Sequence, residues 1–117
     1  VLAVGIDLVE VSRVEALLAR RGERALARLF TPAEIAYARK GRGPLAAQRF
    51  AARFAAKEAF RKAIGRPLPF REMEVIVDEK RPHLAWQGRR HPLSLTHTAR
   101  YAAAVVVVAT PPPLPPP

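Results

Sequence analysis

Apolar and small or polar positions alternate through residues 2–8. Leu2, Val4, Ile6 and Leu8 fall on one side of an extended chain, and Ala3, Gly5 and Asp7 on the other. A two-residue period predicts a β-strand. The period then lengthens. Ser12-Arg13-Val14-Glu15 has the form of a capping box, with Ser12 as N-cap, opening a helix whose apolar side is Val14, Leu17 and Leu18. Thr31-Pro32-Ala33-Glu34 is a second box with Pro at the first helical position. Its helix carries Ile35 and Tyr37 and should stop near Gly41. A long helix is expected from about Leu45 to Ile64, rich in Ala, Arg, Lys and Glu and closed by Gly65.

Beyond Pro67 and Pro69 the pattern returns to strands. Met73–Val77, Pro82–Trp86, Leu93–His97 and Tyr101–Ala109 are expected, the last two as a hairpin across Thr98-Ala99-Arg100. Ala102–Ala109 is apolar on both faces, as in a central strand or one covered by another subunit. The predicted fold is α+β: one domain over residues 1–110, with an N-terminal strand, a long central helix and a C-terminal antiparallel sheet. Residues 111–117, PPPLPPP, are expected to be a disordered proline-rich tail.

Composition narrows the chemistry. Half of the 117 residues are apolar, enough for a core. With no cysteine and only His83, His91 and His97, disulfides, thiolate sites and multi-histidine zinc sites are excluded. His83 and His91 are expected at the surface. The opening segment carries Asp7 and Glu10 and lacks a basic stretch, so no secretory signal is expected. No apolar run is long enough to span a bilayer. A cytoplasmic protein is expected. Twenty Lys and Arg against ten Asp and Glu give a net charge of +10. The excess is clustered: Arg13, Arg20, Arg21, Arg24 and Arg28 follow one another, and no acidic residue lies between Glu34 and Glu58. Such a field recruits an anionic partner.

Two carboxylates stand out. Asp7 lies in an apolar strand beside Ala3 and Gly5, whose small size leaves space above it. Taken alone, it also fits a strand-end Asp bonded to backbone. On the long helix, Phe50, Phe54, Lys57, Arg61 and Ile64 share a stripe, Arg53 lies one turn before Lys57, and Glu58 flanks the stripe with Lys62 one turn on. Cations along an apolar stripe must snorkel, pair or face an anion. An ordinary amphipathic helix accounts for Glu58 and Lys62; a phosphate groove also accounts for Lys57. In Ser94-Leu95-Thr96-His97, His97 is either near a phosphate or a hairpin-end histidine satisfied by backbone.

Together, Val4-Gly5-Ile6-Asp7-Leu8-Val9-Glu10 with Arg13, Arg53-Phe54-Ala55-Ala56-Lys57-Glu58-Ala59 with Lys62-Ala63, and Ser94-Leu95-Thr96-His97-Thr98 resemble the holo-acyl-carrier-protein synthases, a short type of 4′-phosphopantetheinyl transferase. The resemblance covers nearly all of the chain before the tail. It implies transfer of 4′-phosphopantetheine from coenzyme A to a serine of an apo acyl carrier protein, releasing adenosine 3′,5′-bisphosphate. It further implies Mg²⁺ on Asp7 and Glu58, with Glu58 also taking the serine proton. Arg53, Lys57, Lys62 and His97 would meet coenzyme A phosphates. Arg13, Leu17, Arg20, Arg21, Arg24 and Arg28 would dock the acidic carrier. The family implies a homotrimer with sites between subunits, and no membrane or nucleic-acid partner. One departure is the turn at Lys80-Arg81-Pro82, where the family commonly has Gly-Lys-Pro. The competing reading, a small basic nucleic-acid-binding protein, rests on charge alone; no aromatic ladder, helix-turn-helix or zinc spacing accompanies it. A third, a silent trimeric scaffold, requires Asp7 and Glu58 to be dispensable.

Overall fold

A computed structural model describes residues 1–79 and 81–109. Lys80 of the departing turn and the proline-rich tail lie outside the described residues.

The elements run β1 (Leu2–Glu10), α1 (Val11–Leu29), α2 (Pro32–Arg39), α3 (Pro44–Ile64), a single 3₁₀ turn (Phe70–Glu72), β2 (Met73–Asp78), β3 (Arg81–Trp86), β4 (Arg89–His97) and β5 (Tyr101–Ala109). The five strands form one antiparallel sheet in the order β1-β5-β4-β3-β2. The N-terminal strand therefore belongs to the same sheet as the C-terminal ones, with Asp7 opposite Ala104 on β5.

One face of the sheet is covered by α3, through Ala51, Ala52, Ala55, Ala56 and Ala59, all fully buried. These alanines let the helix lie close. The closest approach is at Gly5: a Cβ there would stand 1.8 Å from the carbonyl oxygen of Ala59. The expected space above Gly5 is thus filled by α3 backbone, and glycine is what permits it. Among the described residues no helix covers the other face at β1. Leu2, Val4, Ile6 and Leu8 are 66, 61, 62 and 67 % exposed.

The two predicted capping boxes part company. At α2, Thr31 and Glu34 form the reciprocal pair, with Pro32 in the first turn. At α1 the helix begins at Val11, with Glu10 at the N-cap and no side-chain cap. Ser12 does not cap it, because β1 runs straight into the helix and the Val11 amide is taken by the Arg100 carbonyl at 2.8 Å. The end of α3 is as expected, with Gly65 left-handed at φ 68° and ψ 28°. His91 is buried rather than at the surface, its ring 5.0 Å from that of Phe60.

Candidate active site

The site residues are set by how α3 presents its sides. Successive residues turn by about 100°, so Glu58 and Lys62 lie about 40° apart while Arg53 is about 140° from Glu58. The sequence stripe therefore divides into two polar clusters on different sides of one helix.

The first cluster joins β1 to α3. Lys62 Nζ donates to Asp7 Oδ1 at 2.9 Å and to the Ile6 carbonyl at 3.1 Å. Glu58, one turn earlier, accepts at Oε1 from Arg61 Nη1 at 3.0 Å, and the Arg61 guanidinium lies 4.8 Å from the centre of the Phe70 ring. Glu58 and Lys62 do not pair with each other. The lysine crosses to the strand, which leaves Glu58 to its other neighbour. Asp7 and Glu58 thus have their contacts within one turn of α3, at Lys62 and Arg61. Each uses one oxygen on a cation, and among the described residues Asp7 Oδ2 and Glu58 Oε2 accept no hydrogen bond.

This donor set suits a hard divalent cation. Mg²⁺ takes one or two carboxylates and completes its octahedron with waters and substrate phosphates. Among the described residues no group of three His, Cys, Asp or Glu could hold a metal by itself. A carboxylate pair with the remaining positions open is the type that shares its metal with a phosphate.

The second cluster is internal. Lys57 is fully buried and donates to Glu34 Oε1 at 2.6 Å and to the Leu29 carbonyl at 2.8 Å. Glu34 also accepts from the Thr31 amide at 2.8 Å through Oε1, and from the Val75 amide at 2.8 Å through Oε2. Burial pushes the Lys57 ammonium below its ordinary pKa, and Glu34 opposes that shift. The expectation that Lys57 meets a phosphate is therefore corrected. Of the three outcomes open to a cation in an apolar stripe, Lys57 pairs. Arg53, 4 % exposed, lays its guanidinium 4.2 Å from the centre of the Tyr37 ring. It donates to the Arg49 carbonyl at 3.3 Å, while its Nε is buried without a partner. Burial, first, and neighbouring Arg49 lower its pKa, against the raising effect of Tyr37 and Glu34.

His97 is held near the start of α3 in its own chain. Its Nδ1 lies 2.8 Å from Gln48 Oε1. Gln48 precedes Glu58 by ten residues, about 15 Å along the helix axis. Among the described residues His97 makes no hydrogen bond or ion pair with Asp7 or Glu58.

The arginines of α1 form a third surface. Leu17, Arg21, Arg24, Ala25, Arg28 and Leu29 line a groove of about 550 Å³. Arg13, Leu17 and Arg20 line a second of about 220 Å³, floored by Val9, Val14, Ala16 and Phe54. Leu17 is common to both. None of Arg13, Arg20, Arg21, Arg24 and Arg28 has a carboxylate within ion-pair distance among the described residues.

Residues 3–106 match the 4′-phosphopantetheinyl transferase superfamily. The chain belongs to that superfamily. The transferase fold is shared with solved structures: a holo-(acyl-carrier-protein) synthase from Bacillus anthracis in complex with CoA (3′,5′-ADP) superposes with a TM-score of 0.78 at 33 % identity, over 90 % of this chain and 93 % of that one. The Helicobacter pylori holo-[acyl-carrier-protein] synthase in complex with coenzyme A gives a TM-score of 0.77 at 28 % identity, over 91 % and 99 % of the two chains. Among curated relatives of this transferase, a holo-[acyl-carrier-protein] synthase of Thermus thermophilus is 45 % identical over 114 residues, 89 % of this chain and 90 % of the relative.

Sequence reasoning missed three members of these clusters. Glu34 reads in the sequence only as a cap, although a lysine in an apolar stripe demands a buried acid. Arg61 falls on the stripe without a sign that it pairs with Glu58. Gln48 carries no signal of its own.

Proposed function

We propose that this chain is a holo-[acyl-carrier-protein] synthase, moving 4′-phosphopantetheine from coenzyme A to a serine hydroxyl of an apo acyl carrier protein. The observation that supports this most is that Lys62 ties Asp7 to α3 one turn after Glu58, each carboxylate keeping an oxygen that accepts no hydrogen bond among the described residues. It is an arrangement able to take a metal-bound diphosphate in a chain of this superfamily.

In this reading Asp7 and Glu58 hold Mg²⁺, which when bound supplies charge neutralisation to the pyrophosphate. Lys62 is 57 % exposed at its side chain, and in this reading it passes from Asp7 to a phosphate oxygen. Glu58 takes the serine proton, directly or through a water, as the serine oxygen forms its bond to phosphorus. The phosphorus–oxygen bond to the nucleotide breaks in the same exchange, and adenosine 3′,5′-bisphosphate leaves. The α1 grooves offer the carrier five arginines, from Arg13 to Arg28, around the apolar anchor Leu17. Cations without internal partners suit an acidic protein surface, and steering of this kind speeds encounter.

The active assembly is a homotrimer in this reading. Its support is the helix-free sheet face, where Leu2, Val4, Ile6 and Leu8 stand exposed in a row. A site between subunits also gives His97 a task, on coenzyme A bound by the neighbouring chain's Asp7 and Glu58. Arg53 is retained as a phosphate contact of that shared site, since its buried guanidinium has no carboxylate within ion-pair distance among the described residues. No helix among the described residues is long and apolar enough to cross a membrane, in keeping with a cytoplasmic place of action.

The reading is tested by mass spectrometry of an apo carrier incubated with the enzyme, coenzyme A and Mg²⁺. The carrier should gain one phosphopantetheine, and EDTA should abolish the gain. No mass change with Mg²⁺ present would reject the activity. Retention of nucleic acid with no effect of coenzyme A would favour the cationic binding protein instead.

A further inference from the structure

We propose that Glu34 and Lys57 are positioning residues for carrier docking: their buried ion pair sets the direction of the second half of α1, and so one wall of the cationic groove. This inference rests on the docking role proposed above for α1.

The helix is not one rod. Gly22 interrupts it at φ 58° and ψ −140°, a backbone conformation open to glycine and strained for other residues. The two halves are therefore placed by separate contacts. The first hangs from the sheet, through the Val11 amide on the Arg100 carbonyl and the buried Val14. The second is sunk by Ala25 and Leu26 and by Phe30 just beyond it, which fix its depth. Apolar contacts are non-directional, so they fix its rotation poorly.

Direction comes from the polar contact at its end. Lys57 donates to the carbonyl of Leu29, the last residue of α1, at 2.8 Å. The other side-chain tie to this half, Arg39 to Glu23 at 2.7 Å, has side chains 51 % and 80 % exposed and contributes little. Leu29 and Arg28 both line the larger groove, with Arg24 one turn before. Lys57 is itself held by Glu34, whose second oxygen takes the Val75 amide on β2. The groove wall is thereby referenced to α3 at the residue before Glu58, so docking surface and carboxylate share one frame.

The test compares wild type with a Glu34→Gln/Lys57→Met double variant, Gly22→Ala and Arg24→Glu, measuring Kd for apo carrier and for coenzyme A by calorimetry. Removing both charges together leaves no lone buried ion, which would be the more damaging change. Gly22 is exposed, and a Cβ there meets no atom within 4 Å, so its substitution acts on backbone direction alone. For the double variant and for Gly22→Ala, carrier Kd should rise about three- to thirtyfold, on the scale of couplings through packed networks. Coenzyme A affinity should stay within about twofold of wild type, a split that loss of stability alone would not produce. Wild-type carrier affinity in both variants, with Arg24→Glu weakened, would overturn the inference and leave the docking role standing. Wild-type affinity in Arg24→Glu would remove the docking role itself. Should the double variant fail to fold, Lys57→Met takes its place, since Glu34 keeps the Thr31 and Val75 amides, and wild-type carrier affinity in it would overturn the inference.

Discussion

Lys62 holds Asp7 across the β1–α3 contact at 2.9 Å, so an ammonium already occupies one edge of the carboxylate proposed to bind the metal. In the proposed reading the metal and the lysine would compete for Asp7 until a phosphate draws the lysine away. Lys62→Ala should therefore act with opposite signs on two ligands. Mg²⁺ binding to the free enzyme should tighten a few-fold, while KM for coenzyme A should rise by about tenfold or more, as expected for loss of a charge-assisted contact. Calorimetry for the metal and steady-state kinetics for coenzyme A check the two signs. Weaker metal binding in the variant would show that Lys62 supports Asp7 rather than competing with it.

Gly5 sets the distance between that strand and the helix. A methyl group placed 1.8 Å from the Ala59 carbonyl oxygen cannot be accommodated without moving α3 backbone. Gly5→Ala is expected to cost about 3 kcal/mol or more, at the upper end of overpacking effects. It should also lower kcat in the protein that remains folded, because Asp7 is two residues away. Urea unfolding and kinetics below the transition measure both. A variant as stable as wild type would contradict the close approach.

How much of this was legible beforehand follows from the kind of signal each feature leaves. Strands β1 and β5 and helix α3 declare themselves by period and end residues, and the Thr31 box and Gly65 stand where expected. The Ser12 box failed because a local motif cannot foresee the Arg100 carbonyl, which arrives from the β4–β5 turn eighty-eight residues after Ser12 and caps the neighbouring Val11 amide. Lys57 stands out in the sequence as a cation in need of a partner, but its partner is twenty-three residues away and is not deducible from helix geometry. The carboxylate pair could be named from the resemblance alone. How close the strand of Asp7 lies to the helix of Glu58 depends on the Gly5–Ala59 approach, a tertiary event. His91 has no pattern around it, and its burial comes with the packing of Phe60 against β4.

That burial has a consequence for acid stability. Desolvation, reinforced by Arg89, lowers the His91 pKa below 6.5. Below pH 6.5 the unfolded chain then binds more protons than the folded one at this position, so stability is full above that pH and is lost as pH falls. The melting temperature of wild type should drop between pH 7 and 5.5, and His91→Phe should flatten that dependence by removing the titrating group. Equal slopes in the two proteins would show that His91 is not the group responsible.

The bare sheet face gives an assembly prediction. Ile6, 62 % exposed, points away from α3. Ile6→Lys should leave the protomer folded and dissociate the proposed trimer, read by sedimentation. Activity should fall with it, because Gln48, the partner of His97, lies about 15 Å along α3 from Glu58 of its own chain. A fully active monomer would refute a site shared between subunits.

The central claim is that Asp7 and Glu58 hold one divalent ion against the diphosphate of coenzyme A. Its most direct test is the rate of carrier modification as Mg²⁺ is titrated, for wild type, Asp7→Asn and Glu58→Gln. Both variants should lose about a hundredfold or more in rate, the scale of losing a general base or a positioned charge, and Asp7→Asn should need far more Mg²⁺ to reach half of its own maximum. Turnover in both variants at the wild-type rate and the wild-type Mg²⁺ requirement would contradict the account.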